Sequence, residues 1–342
     1  MSYQHAEVVH WMKNQTTHAI IPAQVDIDLT NICNQDCFYC NSADHRMARP
    51  VQKKYREYIR VLDKLSTWRK HTPNSFGTLH TITYPGGGEP TVLNGYEKVL
   101  EHTIDLGFLT SLTTNGSKLD RMIDRMPVEK IKKMAWIGID IDAGTEEKYE
   151  QIRHSLTSKS LFPQVIRNAK ELVKMGAIVD FKALINQYNG DVQSLHELFA
   201  ITRVVGARQL YLRPTIVNGE AYNFEELIPE INQLSQQYAV PVKLNLTKAL
   251  ARNYTRCHQM YQFPVFCADG EIYTCCDNKG NPRFSLGRWD QDDFRDLWLN
   301  DRHHEIYQSV DTRFCPHCRP NVHNIGIQNI INDVSKLEQM YT

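Results

Sequence analysis

The feature that most limits the fold is a pair of segments repeated between residues 24 and 213. An apolar run typical of a β-strand is followed by a loop and then by a stretch with helical periodicity. Such alternation favours a parallel sheet, because parallel neighbours are usually joined by a helix. The expected strands are 24–30, 79–85, 108–114, 134–142, 178–185 and 207–214. We therefore predict an α/β fold, a partial (β/α)6 TIM-like barrel.

The segments between the runs support this fold. Apolar residues at three- and four-residue steps predict one helical face, formed by Phe162, Val165, Ile166, Ala169, Leu172 and Val173. Three glycines, Gly107, Gly176 and Gly206, lie where a helix should end and a strand begin. Because barrel enzymes act at the carboxyl ends of their strands, polar residues at those ends are the candidates for chemistry.

Composition excludes some classes of partner. The 342 residues are 42% hydrophobic, and 39 basic residues balance 39 acidic ones. A zero formal charge gives no support for a nucleic-acid partner. No apolar run approaches the roughly 18 residues of a membrane span. The N-terminus has no basic segment before an apolar core, so we expect a cytoplasmic protein without a secretory signal.

The nine cysteines fall into two groups, which is unusual for buried structural residues. Three lie within 33–40 and six within 257–318. Disulfides are rare in a reducing compartment, so two groups predict two metal sites.

In the first group Cys33, Cys37 and Cys40 have CxxxCxxC spacing directly after the first strand. Three thiolates leave one iron of a 4Fe-4S cluster open to another ligand. Zinc would need a fourth ligand, and His45 is the nearest candidate.

This triplet, with Tyr39 as the aromatic residue before Cys40, resembles the CxxxCxΦC motif of radical S-adenosylmethionine (SAM) enzymes. The resemblance extends over about residues 20–215. It implies that the open iron binds SAM, that one electron cleaves SAM to a 5′-deoxyadenosyl radical, and that this radical takes a hydrogen atom from a substrate. It also implies an electron donor such as flavodoxin or ferredoxin.

Further strand ends resemble the SAM-binding parts of this family. YPGGGEP is similar to the GGE motif, which maps onto Gly87, Gly88 and Glu89 and implies contacts to the methionine ammonium. Asn115, in TTNGS after the third strand, is a candidate for the wall of the SAM site. A turn is the alternative for each stretch.

The run IDIDAGTEEKYEQIR after the fourth strand resembles a family segment that contacts SAM. Asp140 and Asp142 are two residues apart and should face one side of a strand. The resemblance implies that Asp140 accepts the ribose hydroxyls and that Arg153 pairs with the methionine carboxylate; structural ion pairs are the alternative. Three later polar residues are expected to face SAM or substrate, or to be satisfied by backbone: Asn186, Asn189 and Arg213.

The second group contains four cysteines that can close every corner of a cubane cluster, with zinc as the alternative: Cys257, Cys275, Cys315 and Cys318. The spacing from Cys257 through Gly270 to Cys275 resembles the SPASM and twitch extensions of radical SAM enzymes, and the four residues between Gly270 and the cysteine favour Cys275 over the alternative, Cys276. The missing further cysteines favour the shorter twitch type, with one auxiliary 4Fe-4S cluster. Cys267 and Cys276 are expected to be buried small residues or, alternatively, hydrogen-atom donors.

These observations divide the chain into five parts. They are an N-terminal extension (1–22), the radical SAM partial barrel (23–222), a connecting segment (223–256) with a helix over 223–238 and a strand over 240–246, a small twitch-type domain (257–320) and a C-terminal helical part (321–342), with the helix itself at 324–340.

Three functions are compatible with the sequence. The first is a radical SAM oxidoreductase of dehydrogenase type that acts on a small polar metabolite such as a cyclitol, amino sugar or nucleotide sugar. Its auxiliary cluster would accept an electron. The second is a peptide- or protein-modifying radical SAM enzyme that forms crosslinks or epimers. The third is a non-catalytic iron–sulfur or zinc protein, which the open triplet and GGGEP disfavour.

Overall fold

The computed structural model describes residues 3–13, 19–48, 50–68, 75–246, 251–315, 318 and 320–333. The helices of this part are α1 (Tyr3–Lys13), α2 (Ala43–Ala48), α3 (Tyr55–Trp68), α4 (Tyr96–Asp105), α5 (Asp120–Arg125), α6 (Val128–Lys133), α7 (Glu146–Arg153), α8 (Phe162–Lys174), α9 (Val192–Val205), α10 (Ile228–Tyr238), α11 (Phe294–Leu297), α12 (Asp301–Ser309) and α13 (Asn321–Asn332). None of these helices is both long and apolar enough to cross a membrane.

The strands are β1 (Ala19–Ile20), β2 (Gln24–Ile27), β3 (Ser75–Phe76), β4 (Thr81–Tyr84), β5 (Leu109–Thr114), β6 (Trp136–Asp140), β7 (Val179–Ile185), β8 (Leu210–Pro214), β9 (Ile216–Val217), β10 (Glu220–Ala221), β11 (Val242–Leu244), β12 (Val265–Phe266), β13 (Glu271–Tyr273) and β14 (Ser285–Arg288). Ten of them form one sheet in the order β11-β8-β7-β6-β5-β4-β2-β12-β13-β14. Six parallel strands, β2 and β4 to β8, follow one another in sequence order across it, which confirms the predicted α/β architecture.

Local sequence explains the repeating units. Helix α8 buries Val165, Ala169 and Leu172 on the predicted face. The three glycines expected after helices all have positive φ, at 77° for Gly107, 89° for Gly176 and 79° for Gly206. A residue with a Cβ adopts this left-handed conformation only with strain, so these positions end the helices and turn the chain into the next strand.

Strand β7 shows how the two faces of the sheet differ. Val179, Phe181, Ala183 and Ile185 are buried in the hydrophobic core. Lys182 and Leu184, between them, line a cavity on the opposite face. Side chains alternate along a strand, so the predicted apolar positions pack under the helices and the intervening positions face the cavity.

The cysteine-bearing part after residue 257 continues the main sheet. β12 pairs with β2 in parallel, and β13 and β14 follow in antiparallel order. The sequence did not predict this pairing, which joins residues about 240 positions apart. The expected strand at 240–246 is confirmed by β11, which pairs with β8. The helix expected over 223–238 begins later, at Ile228, after a short 3₁₀ turn at Glu225–Leu227.

Helices α1 and α13 pack together. Val8, Val9 and Trp11 of α1 share a small hydrophobic cluster with Ile327 and Ile330 of α13. Helix α1 is therefore packed against helix α13. The helix expected at 324–340 begins earlier, at Asn321, and its expected residues beyond 333 lie outside the described part of the chain.

Candidate active site

A cavity of about 490 Å³ lies at the carboxyl ends of the parallel strands. Each of the six parallel strands contributes to its wall, through residues of the strand or of the segment that follows it. The residues that line it include Cys33, Cys37, Tyr39, Cys40, Gly87, Gly88, Glu89, Asn115, Asp140, Arg153, Lys182, Arg213, Thr215 and Asp277. The structure thus brings all of the residues predicted for the first metal and SAM site to one cavity.

The three cysteines of the first loop are free and half-buried. Cys37 lies within electrostatic reach of both Cys33 and Cys40, and burial raises the pKa of the Cys37 thiol to about 12. Burial also raises the pKa of Cys33. A thiol in such surroundings becomes a thiolate only beside a strong positive charge, as a bound metal provides.

The spacing of the thiols bears on the choice of metal. Within the described ranges, no three His, Cys, Asp or Glu side chains are close enough to bind a single ion. A tetrahedral zinc site with Zn–S bonds of about 2.3 Å would need sulfurs about 3.8 Å apart. A cubane binds each thiolate at a different iron, so its ligands stand farther apart. His45, the alternative zinc ligand, instead has its Nε2 3.5 Å from Asp269 Oδ2.

A buried ion pair supports the cysteine loop from below. Arg153 donates from its Nη1 to Asp142 Oδ2 at 2.5 Å and from Nε to Gln35 Oε1 at 3.1 Å. Tyr39 also donates its hydroxyl to Asp142, and the Cys37 thiol donates to the carbonyl oxygen of Arg153 at 3.6 Å. Positions 35, 37 and 39 of the loop are therefore all held by this network. The sequence analysis gave a structural ion pair as the alternative role of Arg153, and such a pair is present with Asp142.

The expectation that Asp140 and Asp142 face one side is wrong. β6 ends at Asp140, and Asp142 has a φ of 56°, which turns its side chain out of the strand pattern. Asp142 is completely buried and accepts a hydrogen bond from the Leu184 amide at 2.7 Å. Asp140 remains at the cavity, where its Oδ1 lies 3.4 Å from Lys182 Nζ. Asp140 alone keeps a position in which it can contact a cofactor.

The glycine loop is joined to the cysteine loop by backbone contacts. Gly88 donates its amide to the Thr30 carbonyl at 2.8 Å, and Glu89 donates to Ile32 at 2.9 Å. A Cβ at Gly88 would overlap the Ile32 carbonyl, and one at Gly87 would overlap the Asp28 carboxylate. The glycines are therefore required for close packing of the two loops that carry the predicted cluster and SAM contacts.

Glu89 is buried and bonded within the chain. Its Oε1 accepts from the Thr91 and Thr114 hydroxyls, both at 2.6 Å, and its Oε2 accepts from the Asn115 amide at 2.7 Å. Burial raises the pKa of this carboxyl, and the hydrogen bonds oppose that effect. Glu89 fixes the end of β4 to the end of β5. The two threonines, one in a 3₁₀ turn and one at the end of β5, were not found from the sequence, where nothing distinguishes them from other threonines.

The other predicted contacts have different positions. Asn115 lines the cavity and donates its side-chain amide to Asn34 Oδ1 at 2.8 Å. Asn186 and Asn189 do not face the cavity as expected: both are fully buried and donate to backbone carbonyls of Leu184 and Asp142. The backbone alternative is therefore the correct one for both. Lys182 was missed, although a lysine inside the apolar run IVDFKALI was a usable signal.

The four cysteines of the second group are close to one another. Cys257 interacts electrostatically with Cys275, Cys315 and Cys318, and burial raises the pKa of Cys275 to about 11. Amide side chains donate to two of the sulfurs, from Asn278 to Cys275 at 3.3 Å and from Asn324 to Cys257 at 3.5 Å. Such donors stabilise thiolates that bind iron.

The remaining two cysteines do not line the cavity. Cys267 is buried, and its thiol lies 3.6 Å from Asp28 Oδ2. Cys276 is partly buried against the cluster of Val265, Cys267 and Tyr273. Both positions agree with the structural alternative for these residues.

One residue borders both groups of cysteines. Asp277 lines the cavity and lies within electrostatic reach of Cys275 and Cys318. Asn41, the neighbour of Cys40, also donates to Asp277 Oδ1 at 3.4 Å. The second group of cysteines therefore lies beside the same cavity as the first.

Six parallel strands with three free thiols at the mouth of the cavity are typical of an α/β enzyme that holds an iron–sulfur cluster. The sequence profile of the Radical SAM superfamily matches residues 27–206, which is more than half of the chain. The protein belongs to the radical SAM superfamily. Its residues fit the 4Fe-4S cluster and SAM of that family, because Cys33, Cys37 and Cys40 supply three thiol ligands beside a cavity that has room for a further molecule.

Two curated proteins are similar to this chain in sequence. A "Probable GTP 3′,8-cyclase" of Saccharolobus islandicus is 21% identical over 281 residues, which cover 75% of this chain and 83% of that protein. A 7,8-dihydro-6-hydroxymethylpterin dimethyltransferase of Methanocaldococcus jannaschii is 27% identical over 198 residues, 57% of this chain and 36% of that protein.

Solved structures show the same fold. SuiB of Streptococcus suis, bound to S-adenosylmethionine, has a TM-score of 0.65 at 16% identity, with 89% of this chain and 71% of SuiB covered. The protein anSMEcpe with bound AdoMet has a TM-score of 0.60 at 14% identity, with 93% and 99% covered.

Proposed function

We propose that this radical SAM enzyme is an oxidoreductase that acts on a small polar metabolite, such as a cyclitol, amino sugar or nucleotide sugar. When bound, its cofactors supply a 5′-deoxyadenosyl radical from SAM, which takes a hydrogen atom, and an iron–sulfur acceptor for the electron that remains when the substrate hydroxyl loses its proton. The position of Asp277 carries the proposal, because it places the second group of cysteines beside the cavity of the first.

The first cofactor site is assigned to the barrel. Cys33, Cys37 and Cys40 would hold one 4Fe-4S cluster with an iron left open to SAM. The methionine part of SAM would lie near Gly87, Gly88 and Glu89. The remaining contacts proposed for SAM, all of them cavity residues, are Tyr39, Asn115, Asp140 and Arg153.

The second site is assigned to a twitch-type domain. Cys257, Cys275, Cys315 and Cys318 would bind all four irons of an auxiliary cluster, which leaves none for substrate and suits electron transfer. Their mutual proximity and the amides of Asn278 and Asn324 support this assignment. An electron donor such as flavodoxin or ferredoxin would supply the first cluster.

The character of the cavity supports a small polar substrate. Charged and amide side chains from several strands form its wall, among them Asp140, Lys182 and Arg213. The names of the two curated relatives also refer to compounds of this kind, GTP and a pterin. The structures of SuiB and anSMEcpe include complexes with peptides, so peptide modification is the second candidate.

Iron content and SAM cleavage of anaerobically reconstituted variants test the two sites. We expect about eight irons per chain in the wild type, as two 4Fe-4S clusters require, and about four in either cysteine variant. Cys33→Ala should abolish formation of 5′-deoxyadenosine from SAM with dithionite. Cys257→Ala should retain it. Four irons in the wild type, or zinc at the second group, would contradict the auxiliary cluster.

Deuterium transfer distinguishes the two substrate classes. Candidate cyclitols, sugars and peptides deuterated at carbon would be incubated with the enzyme and SAM, and deuterium in 5′-deoxyadenosine would be measured by mass spectrometry. We expect transfer from a polar metabolite, together with a ketone product. Transfer from a peptide alone would instead establish the second candidate.

A further inference from the structure

Arg213 is a cation of the cavity wall without a partner in the described part of the chain. Its side chain is half-buried and lines the cavity just before the end of β8. The hydrogen bonds and ion pairs of the described residues include none from its guanidinium. A guanidinium carries five N–H donors in a planar fork. An unused fork of this kind at a cavity wall is suited to bind an anionic group.

Thr215 supplies a second unused polar group two residues later. Only 3% of this residue is exposed, and it also lines the cavity. Its backbone is satisfied, since its amide donates to the Ile185 carbonyl at 2.9 Å and its carbonyl accepts from Tyr222 at 2.9 Å. Its hydroxyl oxygen is buried and has no hydrogen-bond partner among the described residues. A buried hydroxyl without a partner is unfavourable unless a ligand completes it.

The other basic residues of the wall already have partners. Lys182 lies 3.4 Å from Asp140 Oδ1 and donates to the Thr113 hydroxyl at 3.2 Å. Arg153 is paired with Asp142, and Arg46 is paired with Asp36 through Nη2 and Oδ1 at 3.5 Å. Positive charge that is not already neutralised is therefore concentrated at Arg213.

The position of β8 separates this charge from the proposed site for methionine. That site lies at the glycine loop after β4, and β5, β6 and β7 lie between β4 and β8. Four strand spacings amount to about 19 Å along the sheet. The proposed SAM contacts Glu89 and Arg153 follow β4 and β6, neither of which neighbours β8, and this leaves Arg213 for the substrate.

We propose that Arg213 and Thr215 bind an anionic oxygen group of the substrate, a carboxylate or a phosphate. This inference rests on the proposed function and narrows its substrate class to polar metabolites that carry an acid group. The guanidinium would donate two parallel hydrogen bonds to the anion, and the Thr215 hydroxyl would donate a third. The group would thereby be anchored at β8 while the rest of the substrate extends toward the cysteine loop.

Calorimetric titration of the anaerobically reconstituted full-length protein tests this subsite with two probes, inorganic phosphate and citrate. Each is titrated in the presence of SAM into the wild type, Arg213→Gln, Arg213→Lys and Thr215→Val. Arg60→Gln is the matched control. Arg60 is exposed on α3, and its substitution removes the same charge as Arg213→Gln. The two probes distinguish a phosphate site from a carboxylate site.

We expect Arg213→Gln to weaken binding of the preferred anion roughly 10- to 100-fold, as loss of charge-assisted hydrogen bonds implies. Arg213→Lys should have an intermediate effect, and Thr215→Val should weaken binding roughly 3- to 10-fold. Arg60→Gln should match the wild type. Affinity for SAM should be the same in all five proteins.

Three results would overturn the proposal. They are no saturable binding of either anion to the wild type, equal binding by Arg213→Gln and Arg60→Gln, and displacement of the anion by SAM with a parallel loss of SAM affinity in Arg213→Gln. The last result would assign Arg213 to SAM. Anion binding that depends on Arg213, in an enzyme whose product is not oxidised, would refute the proposed oxidation and leave this subsite intact.

Discussion

Lys279 Nζ lies 2.7 Å from Asp28 Oδ2, and their side chains are only 10% and 3% exposed. Asp28 directly follows β2, and Lys279 belongs to the cysteine-bearing part of the chain 251 positions later. Asp28 also contacts the Cys267 thiol and packs beneath Gly87. This pair therefore connects the barrel, the glycine loop and the segment that follows Cys275.

Removal of either member of this pair should destabilise the protein strongly. Lys279→Met leaves a buried carboxylate without its cation, at a cost of about 3–5 kcal/mol in the free energy of unfolding. The double variant Asp28→Asn/Lys279→Met should lose less than the sum of the two single changes, because no uncompensated charge remains. Anaerobic urea unfolding followed by circular dichroism measures both effects.

Lys174→Met is the control for that series, since Lys174 has a 77% exposed side chain and a loose pair with Glu171 at 3.7 Å. A surface pair of this kind contributes at most about 1 kcal/mol. If Lys279→Met were no more destabilising than Lys174→Met, the pair would not hold the two parts of the chain together.

The Asp142–Arg153 pair gives a second prediction, which concerns cluster assembly. Asp142→Asn should cost about 3–5 kcal/mol in unfolding free energy and lower the iron content, because Arg153 would lose the anion that orients it toward Gln35 and Tyr39. Tyr39→Phe removes the hydroxyl that donates to Asp142 and accepts from Arg153, and should cost about 1.5–3 kcal/mol with the iron retained.

Asp124→Asn, an exposed substitution on α5, serves as the control for this pair. Iron and sulfide analysis together with denaturant unfolding gives both quantities for each variant. Full iron content in Asp142→Asn would show that the cysteine loop does not depend on this network.

The parts of the fold that depend on local sequence were predictable. Strands β2 and β4 to β8 lie within the expected runs, because alternation of apolar residues reflects the two faces of a strand. The stops at Gly107, Gly176 and Gly206 follow from the φ values that only glycine adopts without strain. The cysteine triplet after the first strand predicted where the cavity lies, since the active sites of such barrels are at the carboxyl ends of the strands.

What could not be predicted depends on the tertiary structure. The φ of 56° at Asp142 places its carboxylate under the cysteine loop, and no residue near it in sequence signals this turn. The pairing of β12 with β2 and the contact of Lys279 with Asp28 join distant segments. The hydroxyls of Thr91 and Thr114 matter only because the fold brings Glu89 between them.

The contact between the glycine and cysteine loops provides a third prediction. Gly88→Ala should lower SAM affinity and iron content, because the added Cβ would overlap the Ile32 carbonyl in the loop that precedes Cys33. Gly88 does not have the left-handed φ that favours glycine, so the effect is steric rather than conformational. SAM binding is measured by calorimetry on the reconstituted protein.

Gly219→Ala is a contrasting variant for this test. Gly219 has a φ of 82° and open space around its Cα, so alanine there adds only backbone strain of about 1–2 kcal/mol. We expect it to lower stability while iron content remains normal. Equal iron loss in both variants would indicate that general destabilisation, not the loop contact, controls cluster assembly.

The last prediction concerns the pH dependence of stability and rests on His303. This residue of α12 is fully buried, accepts at Nδ1 from the Leu299 amide at 3.1 Å and donates from Nε2 to the Met260 carbonyl at 3.1 Å. Burial lowers the pKa of His303 from 6.5 to about 3, so the imidazole stays neutral in the folded protein. The unfolded chain takes up a proton below pH 6.5. Stability from this residue is therefore complete above pH 6.5 and falls by about 1.4 kcal/mol per pH unit below it, until the folded pKa is reached.

His303→Gln should remove the part of the pH dependence of the unfolding free energy that comes from His303. His304→Gln, which changes the half-buried neighbour, should retain it. Unfolding free energies measured anaerobically between pH 8.0 and 5.5 for the wild type and both variants give the comparison. The wild type and His304→Gln should lose about 1 kcal/mol more than His303→Gln between pH 6.5 and pH 5.5. Parallel curves for all three proteins would show that His303 is protonated in the folded state, in conflict with its burial and its two hydrogen bonds.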